Sequence, residues 1–195
     1  MKKSLILLLF FVSSCMITHT RNAKIDFALE TKESLENYLS DNNLEFQRND
    51  LYSLNSIYTF AEFNDQNKLN LPEILFFNKE GKQVKNVFNK KECSNIISDF
   101  EQVNNLEIDD SKASFENLLK NNLKPLYFKD IKKDVVSAVI FYGKFVSSHK
   151  SINKQSFTWY EEISKYDNVN VLLVSLDVME EWNLSEETRK SIGIK

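Results

Sequence analysis

The sequence predicts an α/β fold, a sheet flanked by helices, from three observations. Two near-continuous apolar runs, residues 135–141 and 169–176, have the character of strands covered on both faces. Between them, residues 152–166 place Phe157, Tyr160 and Ile163 on one helical face, completing a β-α-β unit. Earlier in the chain, Pro72 opens a proline–strand–turn–strand–helix series across residues 71–104.

The chain starts with a short positive segment, Met1-Lys2-Lys3, followed by eight apolar residues at 5–12. A bilayer span needs about 20 apolar residues, so this pattern reads as a secretory signal. It ends in Val12-Ser13-Ser14-Cys15, which resembles a bacterial lipobox, whose cysteine is diacylated and becomes the mature N-terminus. The resemblance implies a signal peptide at 1–14, lipidation of Cys15 and a tether over 15–30. The competing reading is an ordinary signal peptide with an incidental cysteine. Several acyl chains on one residue hold a membrane where a single chain holds only marginally. Met16 stands where an inner-membrane retention signal would place an acid. An exported, lipid-anchored protein of the cell envelope is expected, with the outer membrane facing the periplasm favoured.

Thr31 is a plausible N-cap for a helix over 31–42, with Leu35, Tyr38 and Leu39 at helical spacing. Residues 57–63 are rich in aromatic and β-branched side chains and predict a strand. A buried strand is expected at 74–77, a turn closed by Gly81 and a second strand at 82–87, since glycine accepts φ > 0 without strain. Cys93, Ile96, Ile97, Phe100 and Val103 form one stripe of a helix over 90–104. After the polar stretch 107–111, Phe115, Leu118, Leu119 and Leu123 suggest a short helix. A last helix is expected at 183–191, with Asn183 and Glu186 as a capping box and Gly193 at its C-terminal end.

The run Phe141-Tyr142-Gly143-Lys144-Phe145-Val146-Ser147-Ser148-His149-Lys150 resembles the strand and active-site loop of a thioredoxin, where an aromatic pair leads into Cys-x-x-Cys-Lys. Aligned on Phe141 and Lys150, the two cysteine positions fall on Val146 and His149. The run Asp130-Ile131-Lys132-Lys133-Asp134-Val135-Val136 resembles the approach to the first core strand in membrane-anchored thiol-disulfide reductases of this group. Dithiol exchange needs an attacking thiolate and a resolving thiol, and neither Val146 nor His149 supplies one. The resemblance also implies that Pro72 is the cis-proline that begins a strand beside this loop; a trans proline on an edge strand is the alternative. The halves stand in reversed order: residues 31–104 resemble the C-terminal half of a thioredoxin-like fold and residues 105–195 the N-terminal half. Either the domain is circularly permuted into one sheet, or two degenerate units stand in tandem. Length favours one sheet, because a truncated second unit would expose a strand edge.

The formal net charge is −3 and becomes −5 once Lys2 and Lys3 leave with the signal. With no basic run, nucleic acid is excluded as the expected partner. Two separated histidines, His19 and His149, and no cysteine cluster argue against a metal site, and no cofactor is expected. Ser147 and Ser148 lack a positioned base, since His149 is the immediate neighbour of Ser148. His149 is either an acid–base or anion-binding group at a helix start or a surface residue in a vacated cysteine position. Cys93, the sole thiol once Cys15 is acylated, lies on an apolar stripe where free cysteine behaves as a small hydrophobe. Asp109-Asp110 and Glu161-Glu162 read as solvated charge.

The expected function is binding rather than catalysis. A redox-inactive relative keeps the groove around Pro72 and the loop carrying Tyr142, Val146, Ser147, Ser148 and His149, and holds a peptide or protein partner at the envelope. Two alternatives stand beside it. One is a one-cysteine peroxidase or oxidoreductase using Cys93. The other is a structural or immunity-type lipoprotein, favoured if an exposed aromatic patch involves Trp159 or Trp182.

Overall fold

Thr31 caps the first helix, as the sequence suggests. The computed structural model describes residues 26–65, 71–85, 96–146 and 150–194; Cys15, Cys93, Ser147, Ser148 and His149 lie outside them. A two-residue strand, β1 (Leu29–Glu30), leads into α1 (Lys32–Asp41). The Thr31 hydroxyl accepts the Ser34 N–H, and the Ser34 hydroxyl accepts the Thr31 N–H, so two helix-end donors are satisfied reciprocally. Leu35 and Leu39 are then fully buried one turn apart. Thr31→Ala removes one of the two acceptors and is expected to cost about 1 kcal/mol, read as a shift in the urea midpoint with an unchanged slope.

β2 (Leu51–Leu54) follows a 3-10 turn. The next segment corrects an expectation: residues 57–63 are not a strand but part of a helix, α2 (Ile57–Asp65). Phe60 and Phe63 are buried while Tyr58 and Ala61 face solvent, a period of three that the β-rich composition obscured. Ser56 starts the helix by accepting the Thr59 N–H. The Leu71–Pro72 peptide is cis, and β3 (Glu73–Phe77) follows directly. Gly81 turns the chain with φ +72°. Past it, Gln83 and Val84 make only isolated bridges, to Phe77 and Ile108, in place of the longer second strand expected. The helix expected at 90–104 is described from Ile96, as α3 (Ile96–Glu101) and a 3-10 turn at Val103–Asn105.

The second half supplies α4 (Phe115–Asn121), capped by Ser114, then β4 (Leu123–Pro125), β5 (Val136–Tyr142), α5 (Lys150–Ile163) and β6 (Val169–Ser175). A short strand β7 (Val178–Met179) and α6 (Glu186–Ser191) close the described chain. Here too the cap differs from expectation. Ser185, not Asn183, accepts the Thr188 N–H, and Asn183 instead takes a left-handed φ of 48° that ends the preceding 3-10 turn. Gly193 lies just past the helix at φ +81°.

A mixed five-stranded sheet, in the order β3-β5-β6-β2-β4, carries helices on its faces. The three inner strands are parallel and both outer strands run antiparallel to their neighbours. Strands from residues 31–104 and from 105–195 therefore interleave in a single sheet. Every residue of β5 and β6 is buried. Ala138, Ile140, Val171 and Leu173 face α1, α3 and α5, whereas Val139, Phe141, Leu172 and Val174 face α2 and α4. The halves are also stapled at the N-terminal end of the inner strands. There the Asp50 carboxylate pairs with Lys129 Nζ and accepts the Tyr160 hydroxyl at 2.8 Å, with Lys129 donating further to the Val171 carbonyl at 2.9 Å.

Candidate functional site

The parallel strands β5 and β6 end together, Tyr142 opposite Ser175, so the loops after them meet. On the other side of β5, Glu73 lies opposite Phe141, which brings the half-buried Pro72 to the same end. The chain leaves β5 through Gly143 into a 3-10 turn, Lys144–Val146.

That turn is held from inside. The Asp177 carboxylate, 2% exposed, accepts the backbone N–H groups of Lys144 at 2.9 Å and Phe145 at 3.0 Å, and the Ser175 hydroxyl at 2.7 Å. Asn153, reaching back from α5, accepts the Gly143 N–H at 3.1 Å and donates to the Gly143 carbonyl at 2.7 Å; the same amide donates to the Tyr38 hydroxyl. Burial pushes the Asp177 carboxyl up from its ordinary 3.8 to about 6, against the hydrogen bonds that favour its charged form. Burial first, and then the Asp177 charge, holds the Tyr142 phenol well above its usual range. The Tyr142 hydroxyl makes no hydrogen bond of ordinary geometry in the structure.

A second carboxylate lies beside the turn. Glu30, 4% exposed, pairs with Lys144 Nζ at 2.7 Å and accepts the Ser34 hydroxyl at 2.5 Å. Residues 26–30 thus cross the loop: the Asp26 N–H donates to the Phe145 carbonyl at 3.2 Å, and the Phe27 ring lies 5.0 Å from that of Phe145 and 5.6 Å from that of Phe60. Gly143 is required by close approach. A Cβ there would lie 2.4 Å from the Phe145 ring. Gly143→Ala is expected to cost about 1–3 kcal/mol as Phe145 is driven from its seat, measured by denaturant titration and by loss of the Phe27–Phe145 ring contact in aromatic NMR shifts.

The structure brings Pro72 and Tyr142 to one end of the sheet, but Tyr142 and Val146 are fully buried. Neither side chain offers a surface to a partner, because both point into the packed layers on which the loop rests. Val146 is therefore a core residue in the position the resemblance gives to an attacking thiol. Trp159 is buried and Trp182 half-buried, so the aromatics exposed on the surface are others, chiefly Tyr58 at 83% and Phe128 at 90%. Sequence reasoning missed Asp177, Asn153, Lys144 and Glu30 as parts of this site. The signal that existed was Asp177 directly after an apolar strand, where a carboxylate at a strand end has loop amides within reach. Among the described residues no group of three or more His, Cys, Asp and Glu is placed to hold a metal ion, and no helix is long and apolar enough to cross a membrane. No protein-family model, curated protein or solved structure matches the chain.

Proposed function

We propose that this protein is an exported, lipid-anchored, thioredoxin-like domain in permuted order, without dithiol chemistry, that holds a peptide or protein partner at the cell envelope. The observation that carries the reading is the placement of Pro72 at the entry to β3, antiparallel to β5 at the end where β5 delivers its loop. That is the juxtaposition the thioredoxin resemblance implies, reached from two distant segments of this chain. Val146, buried and aliphatic, supports a binding role over a redox one. Inference from fold to function is analogy, so the test must reach the partner itself.

Lipidation is tested by metabolic labelling with a fatty acid, which Cys15→Ala should abolish together with membrane fractionation. For the partner, a photo-crosslinking residue at Pro72 or Lys144 should trap a specific envelope protein, and one at the exposed Lys154 on α5 should not. The purified mature domain with Cys15 replaced should neither reduce insulin nor consume peroxide, and its Cys93 should react with a thiol reagent only in denaturant. Rapid native labelling with turnover would make Cys93 the active centre and sink the binding reading.

A further inference from the structure

The surface beside the loop is covered by the chain's own lead-in. Phe27 sits in a cup made by Phe60 and Phe145. Leu29 packs on the small apolar cluster of Val178, Leu184 and Ile194. β1 pairs in parallel with β7, Leu29 opposite Val178 and Glu30 opposite Met179. Glu30 closes on Lys144. An extended segment is thus read by four kinds of contact: an aromatic cup, a backbone acceptor at Phe145, a strand edge and a cation.

We infer that residues 26–30 are an internal stand-in for an extended peptide of the pattern aromatic-x-apolar-acidic, as in Phe27-Ala28-Leu29-Glu30, and that a partner carrying this pattern displaces them. The inference rests on the partner-binding reading above and says where and by what chemistry the partner is held. Two features argue that the segment can leave. First, its hold is confined to five residues: a two-residue strand, one backbone hydrogen bond to the loop, a half-buried ring, Leu29 on its small cluster, and Glu30 with Lys144 and Ser34. Second, the floor does not depend on it. The Gly143 peptide groups and the Lys144 and Phe145 N–H groups are satisfied by Asn153 and Asp177 beneath the loop. Departure therefore uncovers a preformed cup, the Phe145 carbonyl, the Lys144 ammonium and the edge of β7. An uncovered strand edge is a site for strand addition, where backbone hydrogen bonds give affinity and side-chain pockets give specificity.

The probe is a fluorescent synthetic peptide with the sequence of residues 24–31, and the protein is the full mature chain with Cys15→Ser. A tethered competitor acts at an effective concentration on the order of millimolar, so the parent chain should bind the peptide poorly. Phe27→Ala weakens the competitor and leaves the cup intact. It should bind at least about tenfold tighter by fluorescence anisotropy, and a peptide with the same Phe27→Ala change should not bind. In the Phe27→Ala background, Lys144→Glu should weaken the peptide and a Glu30→Lys peptide should recover it, a reversal that mere loss of structure cannot produce. Circular dichroism establishes that each variant is folded. A folded Phe27→Ala chain that ignores the peptide, or binds it no better than the parent, overturns the inference, as does a dimer formed by exchange of this segment between copies. If the envelope crosslinks at Pro72 persist in such a chain, the partner-binding reading stands without it; if peptide binding succeeds while no envelope partner is trapped, that broader reading fails alone.

Discussion

Asp177→Ala is expected to lose about 3 kcal/mol of stability at neutral pH, because it strands two backbone N–H groups and a serine hydroxyl inside the protein. Each unsatisfied buried polar group costs about 1–3 kcal/mol, and Lys144, Phe145 and Ser175 all donate to this one carboxylate. The same residue sets a pH dependence whose sign is opposite to that of a salt-bridged carboxylate. Its folded pKa, about 6, lies above the ordinary 3.8. Between those values the native state keeps a proton that the unfolded chain has released, so the group's contribution to stability falls as pH rises through that window. Asp177→Asn has no such titration. The stability difference, wild type minus Asp177→Asn, should therefore rise as pH is lowered from about 7.5 to about 4.5, by on the order of 2 kcal/mol. Urea titrations across that range measure it, and parallel profiles for the two proteins would contradict the raised proton affinity.

Asp50→Ala is expected to be as damaging for a different reason. Lys129 is about one-tenth exposed at its side chain and Asp50 likewise, so removing either leaves a nearly buried charge without its partner, at about 3–5 kcal/mol. Tyr160 loses the acceptor of its hydroxyl in the same step. Exchanging both charges for apolar residues of similar volume, Asp50→Leu with Lys129→Met, should recover most of that loss, since a well-packed apolar pair often equals a buried ion pair. The single variants Asp50→Leu and Lys129→Met and the double variant form a thermodynamic cycle, and additivity of the singles would show that the pair is not coupled.

Much of the scaffold was legible because it rests on local pattern. The strands covered on both faces show as unbroken apolar runs, and the Thr31 and Ser114 caps sit where short polar side chains precede helical spacing. Residues 57–63 mislead because their aromatic and β-branched composition masks the threefold spacing of Ile57, Phe60 and Phe63. The site was far less legible, and the reason is distance along the chain. Asp177 acts on residues 32 and 33 positions earlier, and Asp50 on Lys129 and Tyr160, 79 and 110 positions later. Each is an ordinary acidic residue until the sheet brings its partners to it. The loop residues that the resemblance points to, Tyr142 and Val146, are instead part of the core because the turn folds down onto Asp177, which accepts the Lys144 and Phe145 N–H groups from beneath.

The sheet order also determines when the molecule can become stable. The inner strands β5 and β6 are the last long strands to be synthesised, and β2 and β3 depend on them for pairing. Until residues 136–175 have emerged, the earlier chain has, among the described residues, only the short β2–β4 ladder and two isolated bridges to close. The contacts that define the fold are long in sequence, which slows folding and delays it to near completion of the chain. A polypeptide built this way has no complete sheet until nearly the last third of its length, which carries β5 and β6, has been made.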